Sequence, residues 1–426
     1  MTHHLSVAFV ATCPPRQCGI ATFSKDLEQA LKAADGTVRI KWAAINEVTS
    51  IHPYGPEVLW RIRQGSPESY REAAHHINAA PVDVVSLQHE FGLYGIWGDP
   101  FDDHLTPFLE ALRKPLVTTL HSVLPDPTPS VRDSVRRIGA RSSRVVVMAA
   151  RASALLIEAY GLAPEKLSVI PHGVPAVEPR GRTRMKERLA LTGRTIITTF
   201  GLVDPRKGLE YMIEAMQEVR RRHPEALYLI VGKTHPELVR YEGEAYRKRL
   251  WQLARDLDLE QHVAFVDEYL TQPQIVEYLL ASDVYVTPYL DPKQVTSGTL
   301  AYALGAGKAI VSTPYSHAAE VLAAERGILV DFRSGSQLAE ATLRIVDDPL
   351  LKRRLEQNAY SYGRETAWPR VGERMLAILR AAEVSAHASI HVRAPHSPAL
   401  ARTPHRPAPT GAPPRPFIGS RGGFRH

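Results

Sequence analysis

The chain has 426 residues, 44% of them hydrophobic and 23% charged, with 27 glycines and a formal net charge of +7. That composition excludes collagen-like, coiled-coil and wholly disordered chains, and the length suits two domains of under ~200 residues each better than one. The positive charge is confined to one end: residues 389–426 hold Arg393, Arg402, Arg406, Arg415, Arg421 and Arg425 and no acidic residue, so residues 1–388 carry only +1, and no nucleic-acid partner is expected.

Cys13 and Cys18 are too few for a disulfide framework or a four-cysteine zinc site, and their C-x4-C spacing is not that of a redox motif. They read as small loop residues of a reduced compartment. The best apolar run, Val145 to Ile157, is cut by Arg151, so no transmembrane segment is expected. No Lys or Arg precedes Leu5–Ala11, which reads as a first strand and not as a signal peptide. A cytoplasmic protein is the expectation.

Apolar, β-branched segments alternate with helical patterns along the chain. Leu5–Thr12 predicts a buried strand, Pro14–Gly19 a loop, and Ile20, Phe23, Leu27 and Leu31 a helix face. Further strands are predicted at Val82–Gln88, Leu116–Leu120, Arg144–Met148 and Leu167–Pro171. Pro175, Pro179, Gly181 and several arginines then mark a linker. A second series follows: strand Thr195–Phe200, a helix face of Leu209, Met212, Ile213, Met216 and Val219, and strands Leu227–Val231, His262–Val266, Val284–Val286, Ala309–Ser312 and Ile328–Val330. Strand–helix alternation twice over predicts an α/β protein of two doubly wound parallel sheets, with ligands at the strands' C-terminal ends in the cleft between them. Residues 389–426, with eight prolines and few branched apolar side chains, read as a disordered basic tail; with only Phe417 and Phe424 between its charges it gives little support to stacking on single strands.

Three loops suit an anion. Gly19, between strand and helix, lets backbone N–H groups approach a phosphate or sugar oxygen, though a plain turn uses glycine equally. Gly201-Leu-Val-Asp-Pro-Arg206-Lys207-Gly208 puts two cations at a strand end before a helix, which fits a diphosphate; a solvated pair at a turn is the alternative. Gln294-Val-Thr296-Ser297-Gly298-Thr299 supplies hydroxyls and free N–H groups at a helix start and continues through Tyr302; the alternative is an ordinary capped helix packed through Ala301, Ala303 and Leu304. Gly307-Lys308 is no Walker A loop, because Tyr302 stands where its first glycine belongs and Ala309 replaces its Ser/Thr.

Metal binding is not expected. Asp256-Leu-Asp258 falls in a helical stretch and reads as a solvated face, and Asp99, Asp102, Asp103 and His104 read as an exposed acidic loop. His89, followed by Glu90, and His121 end two strands of the first half; each suits donation to a sugar hydroxyl or leaving phosphate, or a bond to a backbone carbonyl.

Taken in order, Gly201…Lys207-Gly208, Ala281-Ser-Asp283-Val-Tyr-Val-Thr-Pro288 and Gly305-Ala-Gly-Lys-Ala-Ile-Val311 resemble the nucleotide-sugar domain of retaining GT-B glycosyltransferases of glycosyltransferase family 4 (group 1). Val169-Ile-Pro-His172-Gly173-Val is similar to the segment before that family's linker, and Tyr360–Glu383, with Trp368, to its closing helix. The resemblance covers about Leu5 to Ser385. It implies an acceptor-binding Rossmann-like domain over 1–178, a donor-binding one over 194–360, a crossover helix over 361–388 and the tail over 389–426. It further implies catalytic Lys207, Arg206 and His121, donor contacts at Gly19, Gln294, Thr296, Ser297, Gly298, Thr299 and Tyr302, and acceptor contacts at His89 and Glu90. No cofactor or metal is implied; the partners are a nucleotide diphosphate sugar and a carbohydrate or glycolipid acceptor, with peripheral membrane contact allowed.

The chain departs from that pattern at Leu202, where the family has arginine, and at Gln294 and Tyr302, where the family's E-x7-E glutamates stand. The second glutamate normally accepts the ribose hydroxyls. A preserved phosphate cradle beside an altered nucleoside pocket keeps two other readings open: a phosphorylase-like enzyme using a sugar 1-phosphate or phosphate, and a non-catalytic carbohydrate- or nucleotide-binding protein. An epimerase is weaker for want of placeable acid/base carboxylates.

Overall fold

A computed structural model describes residues 4–47 and 52–392. The first half contains β1 (Ser6–Ala11), β2 (Arg39–Asn46), β3 (Val58–Arg63) and β4 (Val84–His89), a short antiparallel ladder of β5 (Gly95–Ile96) and β6 (Asp102–Asp103), and then β7 (Leu116–Leu120), β8 (Arg144–Val147) and β9 (Leu167–Val169). Seven of these form one parallel sheet in the order β3-β2-β1-β4-β7-β8-β9. The second half contains β10 (Thr195–Phe200), β11 (Ala226–Val231), β12 (Val263–Val266), β13 (Val284–Thr287), β14 (Ile310–Ser312) and β15 (Ile328–Leu329), parallel in the order β12-β11-β10-β13-β14-β15. The strand order turns back between β1 and β4 and again between β10 and β13, and these two switch points place the loops that matter.

Strand alternation explains the layers. Ala8 and Val10 of β1 enter one core, whereas Val7, Phe9 and Ala11 enter the core on the opposite face with Phe23, Leu27 and Leu31 of the helix Gly19–Ala34. In β10, Ile197 and Ile196 divide in the same way between two cores.

Besides the short ladder of β5 and β6, two strands of the seven-stranded sheet were not among those predicted. The segment of β2 reads Arg-Ile-Lys-Trp-Ala-Ala-Ile-Asn, and its alanines and Lys41 blur the buried-strand signal. At the sheet edge, β3 fully buries only Ile62, so its pattern is mostly polar.

The expected linker contains a helix, Arg182–Arg188, docked on the second half by Lys186 Nζ to Asp283 at 2.5 Å and by an Arg182–Glu356 ion pair. Where one closing helix is expected, the chain forms two, Pro349–Glu365 and Trp368–Val392. The outgoing and returning connections bond each other, Val174 N–H to the Thr366 carbonyl at 3.0 Å and Trp368 N–H to the Val174 carbonyl at 2.9 Å. Trp368, Val371, Met375 and Leu379 then pack on the Val7 and Phe9 face of the first sheet. This helix runs through Val392, past the expected start of the tail, and residues 393–426 lie outside the described residues.

Gly372 fixes that last contact, because a Cβ there would stand 2.5 Å from the Ala30 carbonyl oxygen. Backbone cannot yield as a side-chain tip does. Gly372→Ala is expected to destabilise the protein by ~1–3 kcal/mol, read as a lower urea midpoint; an unchanged midpoint contradicts the packing described.

Candidate functional site

Loops following β1, β4, β7, β10 and β13 converge on a cleft of about 790 Å³ lined by both halves. On the second half, Gly201–Gly208 leaves β10 and turns at Pro205–Lys207, where the Asp204 carboxylate accepts from Arg206 N–H at 2.8 Å. Gly208 closes the turn at φ 58°, and a Cβ there would meet the Pro288 carbonyl oxygen at 2.3 Å.

Lys207 reaches into the cleft. Its ammonium donates to the Tyr289 hydroxyl at 2.8 Å and lies 4.2 Å from that ring's centroid. The Tyr289 hydroxyl is 2.7 Å from Thr299 Oγ1, and a Cβ on Gly201 would lie 3.0 Å from Thr299 Cγ2 and 3.4 Å from Lys207 Nζ. An ammonium, a hydroxyl and bare glycine backbone therefore surround one spot. Arg206 also lines the cleft but does not offer its charge there as expected. Its guanidinium forks Asp204, with Nε to Oδ1 and Nη2 to Oδ2 both at 2.9 Å, and this pair already offsets the charge.

The helix Gly298–Gly305 begins beside Lys207. Gly298 and Thr299 occupy its first turn, where N–H groups have no intrahelical acceptor, and Thr296, Gly298 and Thr299 line the cleft. Ser297 does not. It is buried; its hydroxyl accepts from Leu300 N–H at 3.3 Å and its own N–H donates to His317 Nδ1 at 3.1 Å. Ser297 thus builds the cradle from behind instead of contacting a phosphate. Gln294 lines the cleft while its side-chain amide donates to the Thr296 carbonyl at 2.9 Å, holding the loop. Lys308 is buried against the Ser282 carbonyl, away from any phosphate loop.

Tyr302 spans the cleft. Its hydroxyl donates to Asp26 of the first half at 3.2 Å and accepts from Gln272 at 3.1 Å, and Gln272 also donates to Asp26 at 2.8 Å. Burial drives the Asp26 carboxyl up to about 6 despite these two donors. Tyr302 thereby ties the second half to the first across the cleft.

On the first half, Gly19 opens its helix at the cleft, and the Cys18 thiol caps that helix by accepting from Ala21 N–H. Glu90 accepts from Phe91 N–H at 3.1 Å and from the Ser122 hydroxyl at 2.6 Å, while burial raises its carboxyl. The Gln88 amide donates to Ser86, which points its oxygen at His121 Nε2, 3.0 Å away. Nε2 then carries the proton and Nδ1 is left as acceptor; burial holds the ring neutral, with a pKa down to about 3. His89 does not face the cleft as expected. Its ring is buried, stacked on Tyr94 at 5.3 Å and edge-on to Phe91 at 5.0 Å, so no acceptor reaches it.

Several cleft residues were missed. His172, 5.1 Å ring to ring from Phe23 and crowding Gly298, lies in the segment that read only as a linker boundary. Asp26, Gln272 and Tyr289 carried no local signal. Among the described residues no group of three or more His, Cys, Asp or Glu is arranged to hold a metal ion. Asp256 and Asp258 are both exposed, as a solvated face requires, although Asp258 lies just past the helix Ala245–Asp256. In the acidic loop Asp99 and Asp102 are exposed, whereas His104 is buried and Asp103 is largely enclosed, accepting from Leu105 N–H and Thr106 and paired with Arg137.

Residues 19–177 match the profile of Glycosyltransferase Family 4, and residues 181–362 that of Glycosyl transferases group 1. The chain belongs to the group 1 glycosyltransferases. It is 30% identical over 164 residues, 38% of this chain and 40% of the relative, to a GDP-mannose-dependent alpha-(1-6)-phosphatidylinositol monomannoside mannosyltransferase of Mycolicibacterium smegmatis. It is 25% identical over 285 residues, 64% of this chain and 62% of the relative, to a D-inositol 3-phosphate glycosyltransferase of Rhodococcus jostii. The chain thus spans less than two thirds of the length of either relative. Sucrose-phosphate synthase from Thermosynechococcus elongatus superposes with a TM-score of 0.72 at 18% identity, over 89% of this chain and 100% of that one. Anabaena HepE in complex with UDP and glucose gives 0.68 at 16%, again over 89% and 100%. These likenesses establish the GT-B fold. Among the described residues, no helix is long and apolar enough to cross a membrane.

Proposed function

We propose that this family member is a retaining glycosyltransferase that moves a hexosyl unit from a nucleotide diphosphate sugar to an acceptor hydroxyl. The observation that carries the reading is the Lys207–Tyr289–Thr299 cluster, which opens beside the N-terminus of the helix Gly298–Gly305 in the same cleft as His121 and Glu90. A diphosphate there meets an ammonium, a hydroxyl and the Gly298 and Thr299 N–H groups, which take the place of a metal ion in offsetting its charge. In front-face transfer the bond from the anomeric carbon to the phosphate oxygen breaks, the acceptor oxygen bonds to the same face, and the departing phosphate oxygen takes the acceptor proton. Configuration is retained without a carboxylate base. The relatives named for GDP-mannose support a nucleotide donor.

The Tyr302–Asp26–Gln272 bridge favours a second reading. Tyr302 stands where the resembled family has the glutamate that accepts the ribose hydroxyls, and it is tied to Asp26 and Gln272 while the phosphate cradle beside it is intact, an arrangement that suits an enzyme taking a sugar 1-phosphate. A thermal-shift panel of UDP, GDP, ADP, their sugar conjugates, sugar 1-phosphates and inorganic phosphate separates the two. Selective stabilisation by one nucleotide and its sugar conjugate is the expected result. Stabilisation by a sugar 1-phosphate or phosphate alone transfers the assignment to a phosphorylase, and nucleotide binding without turnover leaves a binding protein.

A further inference from the structure

The two walls of the cleft differ in charge. Among the described residues, the second half contributes Arg206, Lys207, Lys233 and Lys293 to the lining alongside Asp204, Glu268 and Asp291, whereas the first half contributes no Lys or Arg, only the carboxyl groups of Asp26 and Glu90. A wall built to clamp a phosphorylated acceptor needs cations, preferably a guanidinium fork, and this wall has none.

The same wall presents an aromatic face. Trp97 is 55% exposed yet firmly seated, 5.3 Å from the buried Phe91 and 5.4 Å from the buried Phe101, ring to ring. The ladder of β5 and β6, the His104 N–H bond to the Tyr94 carbonyl at 2.8 Å and the Phe101 N–H bond to Ser130 at 2.9 Å pin its loop. A large apolar ring left in water in the lining of a cleft, held by two phenylalanines and sharing that lining with Glu90 and Ser122, has the form of a sugar platform. The aromatic face covers the C–H face of a pyranose, and the carboxylate and hydroxyl serve its hydroxyl groups. Exposed Asp99 and Asp102 on the same loop oppose an anionic lipid surface.

We infer that the acceptor is a neutral saccharide, one ring of which stacks on Trp97, and not a phosphorylated inositol or anionic glycolipid. The inference rests on the transferase reading for its biological meaning, but the subsite is testable without turnover. Isothermal titration with maltose, cellobiose, mannobiose and inositol 3-phosphate is expected to show binding of at least one neutral disaccharide. Trp97→Ala should weaken that binding about tenfold and Trp97→Phe about two- to threefold, while stabilisation by the donor nucleotide is unchanged. Absence of binding by every disaccharide, tighter binding of inositol 3-phosphate, or an unaltered Trp97→Ala variant overturns the inference. Disaccharide binding lost in Trp97→Ala without turnover of any nucleotide sugar upholds the subsite and sinks the transferase reading. Transfer to inositol 3-phosphate alone does the reverse.

Discussion

Lys207→Ala is expected to lower kcat/KM ten- to a hundredfold without loss of fold. The ammonium is only partly buried and is met by a neutral phenol, so truncation leaves no buried charge behind. What it removes is a charge-assisted contact to the leaving phosphate, each worth about 1.5–3 kcal/mol, and that energy is larger in the transition state, where the phosphate gains charge. The loss should therefore fall chiefly on kcat, with weaker diphosphate binding in titration calorimetry. Arg206→Ala should do less, because its guanidinium is already paired with Asp204. Full activity in a folded Lys207→Ala protein removes the phosphate assignment; an equal loss in Arg206→Ala relocates it.

The second large effect is with pH. His89, His121, His172 and His317 are each held neutral by burial, with pKa values down to about 4, 3, 4 and 3. Their folded values lie below the unfolded value of about 6.5, so below that pH the unfolded chain binds protons that the folded chain refuses. Stability from these rings is full above about pH 6.5 and is lost as pH falls. By pH 5 each costs about 2 kcal/mol and the four together up to about 8, comparable with the whole stability of a domain. Asp26 acts in the opposite sense. Its folded carboxyl titrates near 6, above its unfolded value, so it favours the folded state as pH falls from about 6 to 4, and the raised carboxyl of Glu90 acts in the same sense, but the histidines are the larger set. Urea midpoints should fall steeply from pH 6.5 to 5. His317 ties this to the site, because a protonated ring cannot accept from Ser297 N–H, and the donor loop would loosen first. A flat midpoint over that range contradicts the burial of these rings.

Much of the second half was legible from local signals. Runs such as Ala226–Val231 are apolar throughout because strands of a parallel sheet are covered on both faces, and Leu209, Met212, Ile213, Met216 and Val219 repeat at helical spacing. The edge strand β3 and the alanine-rich β2 escaped, since an edge strand shows little apolar pattern and alanine suits either element. At the site, Gly201, Lys207, Gly298 and Thr299 carry their meaning in the loop itself, as glycine, cation and helix start stand side by side in the chain.

His89 and His121 show where local reading stops. Both end parallel strands of the first sheet, yet one ring turns into the Tyr94–Phe91 stack and the other lines the cleft. The bridge from Asp26 to Tyr302 joins residues 276 positions apart, and Trp97 acquires its role only from the two phenylalanines beneath it. The sequence by itself determined the two parallel sheets, their switch-point loops and the cation at the donor cradle, because periodicity, turn chemistry and helix starts are written in neighbouring residues. Which histidines stay dry, which carboxylate answers Tyr302 and which wall of the cleft lacks cations were decided by the tertiary structure, since desolvation and contact between distant segments exist only once the two halves close on each other.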